Sequence, residues 1–212
     1  MDERALAERL ITYDTSTPDG IRAASGFLKG WLESSELEVT ATEHQGLPVL
    51  RAELGEPGAP SLILHGHIDV VPGHAEQFTP RIEGDRLIGR GAYDMKGGLA
   101  AIVGAMKDLA ERPPPMHLTF VCAPDEESED FDERSMDVMV ADGLRADFAI
   151  TGEPTDLHVG VQAKGVLMVR LVVSGRSAHG STPWLGDNAV LKAIDVFRRI
   201  ESLPFARESS EL

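Results

Sequence analysis

The spacing of apolar positions changes several times along the chain, and each change marks an element. Residues 2–13 and 21–34 place apolar side chains three and four apart, as in helices with one buried face, and the turn STPDG separates them. The stretches 37–43 (LEVTATE), 48–54 (PVLRAEL) and 61–67 (SLILHGH) read as strands broken by HQG and GEPGAP. RIEGDRLIG reads as a hairpin, and a helix from about Gly97 to Arg112 is halted by three prolines. The strand MHLTFVCA (116–123), an acidic run, a helix to about Asp142 and the strand DFAIT (147–151) follow. Strands alternating with helices predict an α/β fold, a mostly parallel sheet sandwiched by helices.

From residue 164 the pattern changes. KGVLMVRLVVSG (164–175) predicts a long alternating strand, RSAHGSTPWLGDN a loop, and the segment from about Asn188 to Ile200 a helix. The expected organisation is an incomplete first domain, 1–163, and the first part of a second, 164–212, because one strand and one helix cannot close a core alone.

Composition narrows the class. An apolar fraction of 42% is ordinary for a globular chain, and no apolar run approaches the ~20 residues that cross a bilayer. The start, MDERALAERL, is charged, unlike a signal or transit peptide. The single cysteine, Cys122, excludes an internal disulfide and, within an apolar run, reads as a buried thiol. A soluble, cytoplasmic protein with no membrane partner is the expectation. A net charge of −15 argues against a nucleic-acid partner. It leaves two readings, a solvated acidic surface or carboxylates turned inward around cations.

Position favours the second. SLIL runs into His65, His67 and Asp69; HLTFVCAP into Asp125, Glu126 and Glu127; DFAITG into Glu153. In open α/β sheets the C-terminal ends of the strands are where ligands bind. Several carboxylates and an imidazole meeting there repel unless cations intervene. Their nitrogen and oxygen donors suit zinc, with cobalt or manganese as alternatives. Residues i and i+2 of a strand share a face, so Asp69 can orient the His67 ring. With 7 His in 212 residues, one His-x-Asp is weak by itself, and the ordered set carries the weight. GRGAYDMKGG lacks the Gly-Lys-Ser/Thr of a phosphate loop, and Ser177 lacks a Gly-x-Ser-x-Gly elbow.

HGHIDVVP, GRGAYDMKGG, APDEE and TGEPT, followed by GRSAHGSTP, resemble the di-zinc deacylases and carboxypeptidases. That family includes acetylornithine deacetylase, succinyl-diaminopimelate desuccinylase, aminoacylase and the glutamate carboxypeptidases. The resemblance implies a catalytic α/β domain interrupted by a smaller lid domain that commonly mediates dimerisation. It implies two zinc ions, with His67, Asp94 (bridging) and Glu153 as protein ligands of one and Asp94 and Glu127 of the other. It also implies Asp69 steering His67, a cis peptide after Asp94, and Glu126 as general base. His179 would reach an active site, in many relatives the partner subunit's, and support the oxyanion. The implied reaction is hydrolysis of an amide bond in an N-acyl amino acid or peptide by a homodimer.

Two departures qualify the match. Relatives place a glycine soon after the paired Glu, where this chain has EESED. The family's last metal ligand is a histidine near the far C-terminus, and no position here fills it. The expectation is therefore the N-terminal part of a longer enzyme, weak in metal binding and poorly active alone. Competing readings are a carboxypeptidase or dipeptidase of the same family, a non-catalytic binding or oligomerisation relative, and an acidic cation buffer. The last predicts dispersed carboxylates.

Overall fold

Asp2 and Thr17 start the first two helices by giving side-chain oxygens to orphan amides, Asp2 to Ala5 N at 2.8 Å and Thr17 to Gly20 N at 3.1 Å. Helix α1 (Glu3–Ile11) buries Leu6, Ala7, Leu10 and Ile11. Helix α2 (Pro18–Glu33) starts on a proline, tolerated where an amide would have no partner, and buries Ile21, Ala24, Leu28 and Leu32. The cap explains why α2 begins three residues before the apolar periodicity does. The strands are β1 (Val39–His44), β2 (Leu47–Leu54), β3 (Ser61–His67), the hairpin β4 (Arg81–Glu83) and β5 (Arg86–Ile88), β6 (His117–Ala123) and β7 (Phe148–Thr151). Helices α3 (Lys96–Glu111), α4 (Ser135–Ala141) and α5 (Ala189–Glu201) complete the set. This computed structural model describes residues 2–128, 133–161 and 169–204.

Five strands form one sheet in the order β1-β2-β6-β3-β7. β6, β3 and β7 are parallel, and β2 runs against both β6 and β1, so four of the five strands point the same way. This is the α/β architecture expected, a mixed but mostly parallel sheet with flanking helices. Alternation along β6 divides its residues between two cores. Leu118, Phe120 and Cys122 join Leu50, Ala52 and Leu64 against α1, α2 and α3, whereas Val121 packs with Val49 and Ile63 towards Met136 and Met139 of α4. Burial pushes the Cys122 thiol well above its usual range, leaving it inert. At Gly66 strand and helix approach closely. A Cβ there would lie 2.9 Å from Met95 Cε and 3.1 Å from Leu99 Cδ1.

The chain divides into compact units at Met1–Val159 and Gly160–Leu212. In the second, Asn188 caps α5 by accepting from Val190 N (3.0 Å) and Leu191 N (3.3 Å). Part of the long strand expected at 164–175 lies outside the described residues. Among the described residues the remainder, 169–175, carries no ladder, and the nearest pairing is an isolated bridge between Arg176 and Asp187. Alternation prepares a segment for pairing, but a strand forms only against a partner.

Candidate metal centre

The parallel ladder sets the site. His67 lies level with Ala123 on β6, and His65 with Thr151 on β7. The residues that follow these strands, Glu126 and Glu127 after β6 and Glu153 after β7, therefore leave the sheet at the edge where His67 ends β3. Asp94 arrives from the loop before α3, and its peptide bond to Met95 is cis.

His67 is fully buried. Its Nδ1 donates to the Asp69 carbonyl at 3.0 Å, which orients the ring and turns Nε2 to the acids. Nε2 lies 3.1 Å from Asp94 Oδ1 and 3.8 Å from Glu153 Oε1. His67, Asp94 and Glu127 each offer a ligand atom, all within 4.8 Å of one another. The residues fit a divalent cation on the chemistry of the donors as well as on position. Burial opposes charge on His67, yet the Asp69 hydrogen bond and the carboxylates of Asp69, Glu153 and Glu126 outweigh it and raise the imidazole to about 9. Glu127 is pushed up by burial and then by Asp94, against the pull of His67. Glu153 is likewise raised by burial, opposed by His67, and raised further by Asp94, Glu126 and Glu127. This cluster of anions demands positive charge.

Asp69 does more than face the ring. Its Oδ1 stands 3.4 Å from His67 Nδ1, but its shorter contacts accept the amides of Glu126 (3.1 Å) and Glu127 (2.7 Å). The first acid of the run is a correction to the sequence reading. Asp125, grouped there with the metal-capable side chains, is buried and turned to α4, accepting from Ser135 N at 2.7 Å and Ser135 Oγ at 2.6 Å. Consecutive acids look alike in sequence, and the alternation at a strand end sends them different ways.

His65 pairs with Thr151 Oγ1 at 3.1 Å, and burial, then the neighbouring His67, lowers its pKa. His179 is exposed in the second unit, where its Nδ1 accepts from Ser181 N at 3.2 Å. Sequence reasoning missed two supporting cations. Lys96 is wholly buried, and its Nζ donates to the carbonyls of Leu10 (3.0 Å) and Tyr13 (2.9 Å), tying the end of α1 to the start of α3. Burial pulls it down to about 7, against the charges of Asp14 and Asp69. The other cation is Arg134, which reaches back across the acidic loop to the backbone of residues 125 and 126.

With fold and cluster in place, the chain belongs to peptidase family M20/M25/M40, whose profile matches residues 63–194. It is 32% identical to carboxypeptidase G2 of Pseudomonas sp. (strain RS-16), over 91% of this chain and 49% of that protein. It is 34% identical to succinyl-diaminopimelate desuccinylase of Gluconobacter oxydans (strain 621H), over 94% and 56%. The chain spans about half the length of these relatives. Among solved structures, the M20 family metallo-carboxypeptidase Sso-CP2 from Sulfolobus solfataricus superposes with a TM-score of 0.61 at 26% identity, covering 72% of this chain and 37% of that one. Human carnosine dipeptidase 1 shares the fold at a TM-score of 0.60 and 18% identity, over 70% and 37%.

Proposed function

We propose that this chain is the metal-binding portion of a hydrolase that cleaves an amide bond in an N-acyl amino acid or a peptide. One observation carries the reading: His67, Asp94 and Glu127 bring their ligand atoms within 4.8 Å of one another at the C-terminal edge of the sheet. His67, Asp94 and Glu153 would hold one zinc ion, and Asp94 and Glu127 would contribute to a second. Zinc bound there supplies a water of lowered pKa and polarises the carbonyl to be attacked. Glu126, adjacent to a ligand but not itself one, would take a proton from the attacking water and return it to the departing amine. Asp69 holds the His67 ring through its carbonyl and the Glu126 and Glu127 amides through its carboxylate. His179 would support the developing oxyanion, within a lid and dimerisation domain that begins near residue 164. A homodimer in the cytoplasm is part of this reading. The names of the relatives, carboxypeptidase and desuccinylase, both describe amide hydrolysis and support the substrate class.

The test separates binding from chemistry. Calorimetric titration with zinc should show uptake that His67→Ala and Asp94→Asn abolish and Glu126→Gln preserves. Assays of the full-length enzyme on N-succinyl, N-acetyl and dipeptide substrates, with and without a chelator, should show metal-dependent turnover that Glu126→Gln lowers by about 10²–10⁴-fold. Turnover unchanged after metal removal would reject the mechanism, and zinc uptake unaffected by Asp94→Asn would reject the site.

A further inference from the structure

Three carboxylates in a row, Asp125, Glu126 and Glu127, must point in three directions, and the backbone between them needs something to hold it. Two successive peptide groups lie there. The first joins the Asp125 carbonyl to the Glu126 amide, and the second joins the Glu126 carbonyl to the Glu127 amide. On one side the Asp69 carboxylate takes both amides, Oδ1 from Glu126 (3.1 Å) and Oδ2 from Glu127 (2.7 Å). On the other side, Nη1 of Arg134 donates to both carbonyls. Each peptide is thus gripped at both ends, by an anion at its N–H and a cation at its C=O. Fixing two adjacent peptide planes fixes φ and ψ of the residue between them, and with them the direction of its Cβ. That residue is Glu126.

We propose that Arg134 is a positioning residue for the Glu126–Glu127 pair, closing with Asp69 a two-sided clamp on the peptides that aim both carboxylates. Arg134 is itself held in register. Its amide donates to Asp137 Oδ2 at 3.3 Å, and the next residue, Ser135, binds the buried Asp125 carboxylate through both N and Oγ. The start of α4 is therefore tied to the same turn by one side chain running each way, Asp125 forward and Arg134 back. Asp69 and Arg134 are 65 residues apart in the chain, and they act on the same two peptides. The roles assigned to Glu126 and Glu127 rest on the proposed function. The clamp itself does not.

The experiment pairs hydrogen–deuterium exchange of the metal-free protein with calorimetric titration by cobalt(II), on wild type, Arg134→Met, Arg134→Lys and Glu127→Gln. In Arg134→Met, exchange across residues 124–128 should rise by about tenfold or more, because both carbonyls lose their partner, with β3 unchanged. Cobalt affinity should fall by about tenfold or more, as for other lost supports of metal ligands, at the equivalent that Glu127→Gln removes, and hold at the other. Arg134→Lys should recover much of both, because both contacts leave from one nitrogen that an ammonium can replace. Wild-type exchange and affinity in Arg134→Met overturn the proposal. So does a rise in exchange throughout the first unit with both equivalents weakened together, which marks a support of the fold only. A wild type that takes up no cobalt overturns the proposed function instead, and the exchange result then decides the clamp alone.

Discussion

Strand β3 turns Leu64 to one face of the sheet and Ile63 to the other, and both are 9% exposed, yet the two faces are finished differently. Leu64 enters a continuous core built with α1, α2 and α3. Among the described residues, Ile63 has Val49 and Val121 as buried neighbours, with Met136, Met139, Leu144 and Ala146 partly covering them. Beside that smaller cluster runs a groove of about 740 Å³ lined by Thr40, His44, Arg51, Glu53 and His117 among others. This groove lies beside the thinly covered cluster, and none of His67, Asp94, Glu127 and Glu153 lines it. The strands carry the same alternation on both sides. What differs is how much of the described part of the first unit covers each.

The sharpest way to break this comparison is the matched pair Leu64→Ala and Ile63→Ala. Both remove a similar volume at equal burial, but the cost of a cavity depends on how well its walls can collapse. Leu64→Ala should cost about 4 kcal/mol and Ile63→Ala about 2 kcal/mol in urea denaturation, because methionines and solvent can close on the second site. Equal losses would mean that the two faces are equally rigid. Next in size is Lys96→Met, which keeps the apolar stem on the closed face but strands the carbonyls of Leu10 and Tyr13. A loss of about 2 kcal/mol is expected by the same method, and a neutral result would show that water satisfies those carbonyls. The smallest effect is at the sheet edge. Asp147 accepts from Ser61 N (2.7 Å) and Ser61 Oγ (2.9 Å), linking the start of β3 to β7, and these donors hold its carboxyl below the usual range. A depressed folded pKa adds stability that is complete above the unfolded value of about 4 and is lost as pH falls through the folded one. The melting temperatures of wild type and Asp147→Asn should therefore differ slightly at neutral pH and converge on acidification. A gap that widens in acid would reverse the assignment.

The well-covered face was the legible one. Three- and four-residue spacing in α1 and α2 and the apolar runs of β3 and β6 are local signals, and neighbouring segments of the chain answer them. The ordered motifs named the family and pointed to His67, Asp94, Glu126, Glu127 and Glu153, because donor types at strand ends are visible in one dimension. Asp125 was misjudged because its environment, not its type, separates it from its neighbours. Arg134 and Lys96 escaped because each acts on backbone carbonyls, and a carbonyl leaves no mark in a sequence. The stretch 169–175 shows the reverse case, a strong pattern that meets no ladder among the described residues.

Gly66 has a consequence for the fidelity of the site. A one-residue slip of β3 against β6 would turn Leu64 out of its core and is penalised at once. A two-residue slip keeps every side chain on its proper face, and it would deliver His65 to the place of His67, one imidazole for another. It would also carry Leu64 to the position of Gly66, where even a Cβ finds Met95 and Leu99 within 3.1 Å. The residue without a side chain therefore works as an address. It tells the ladder which of two histidines belongs among the acids.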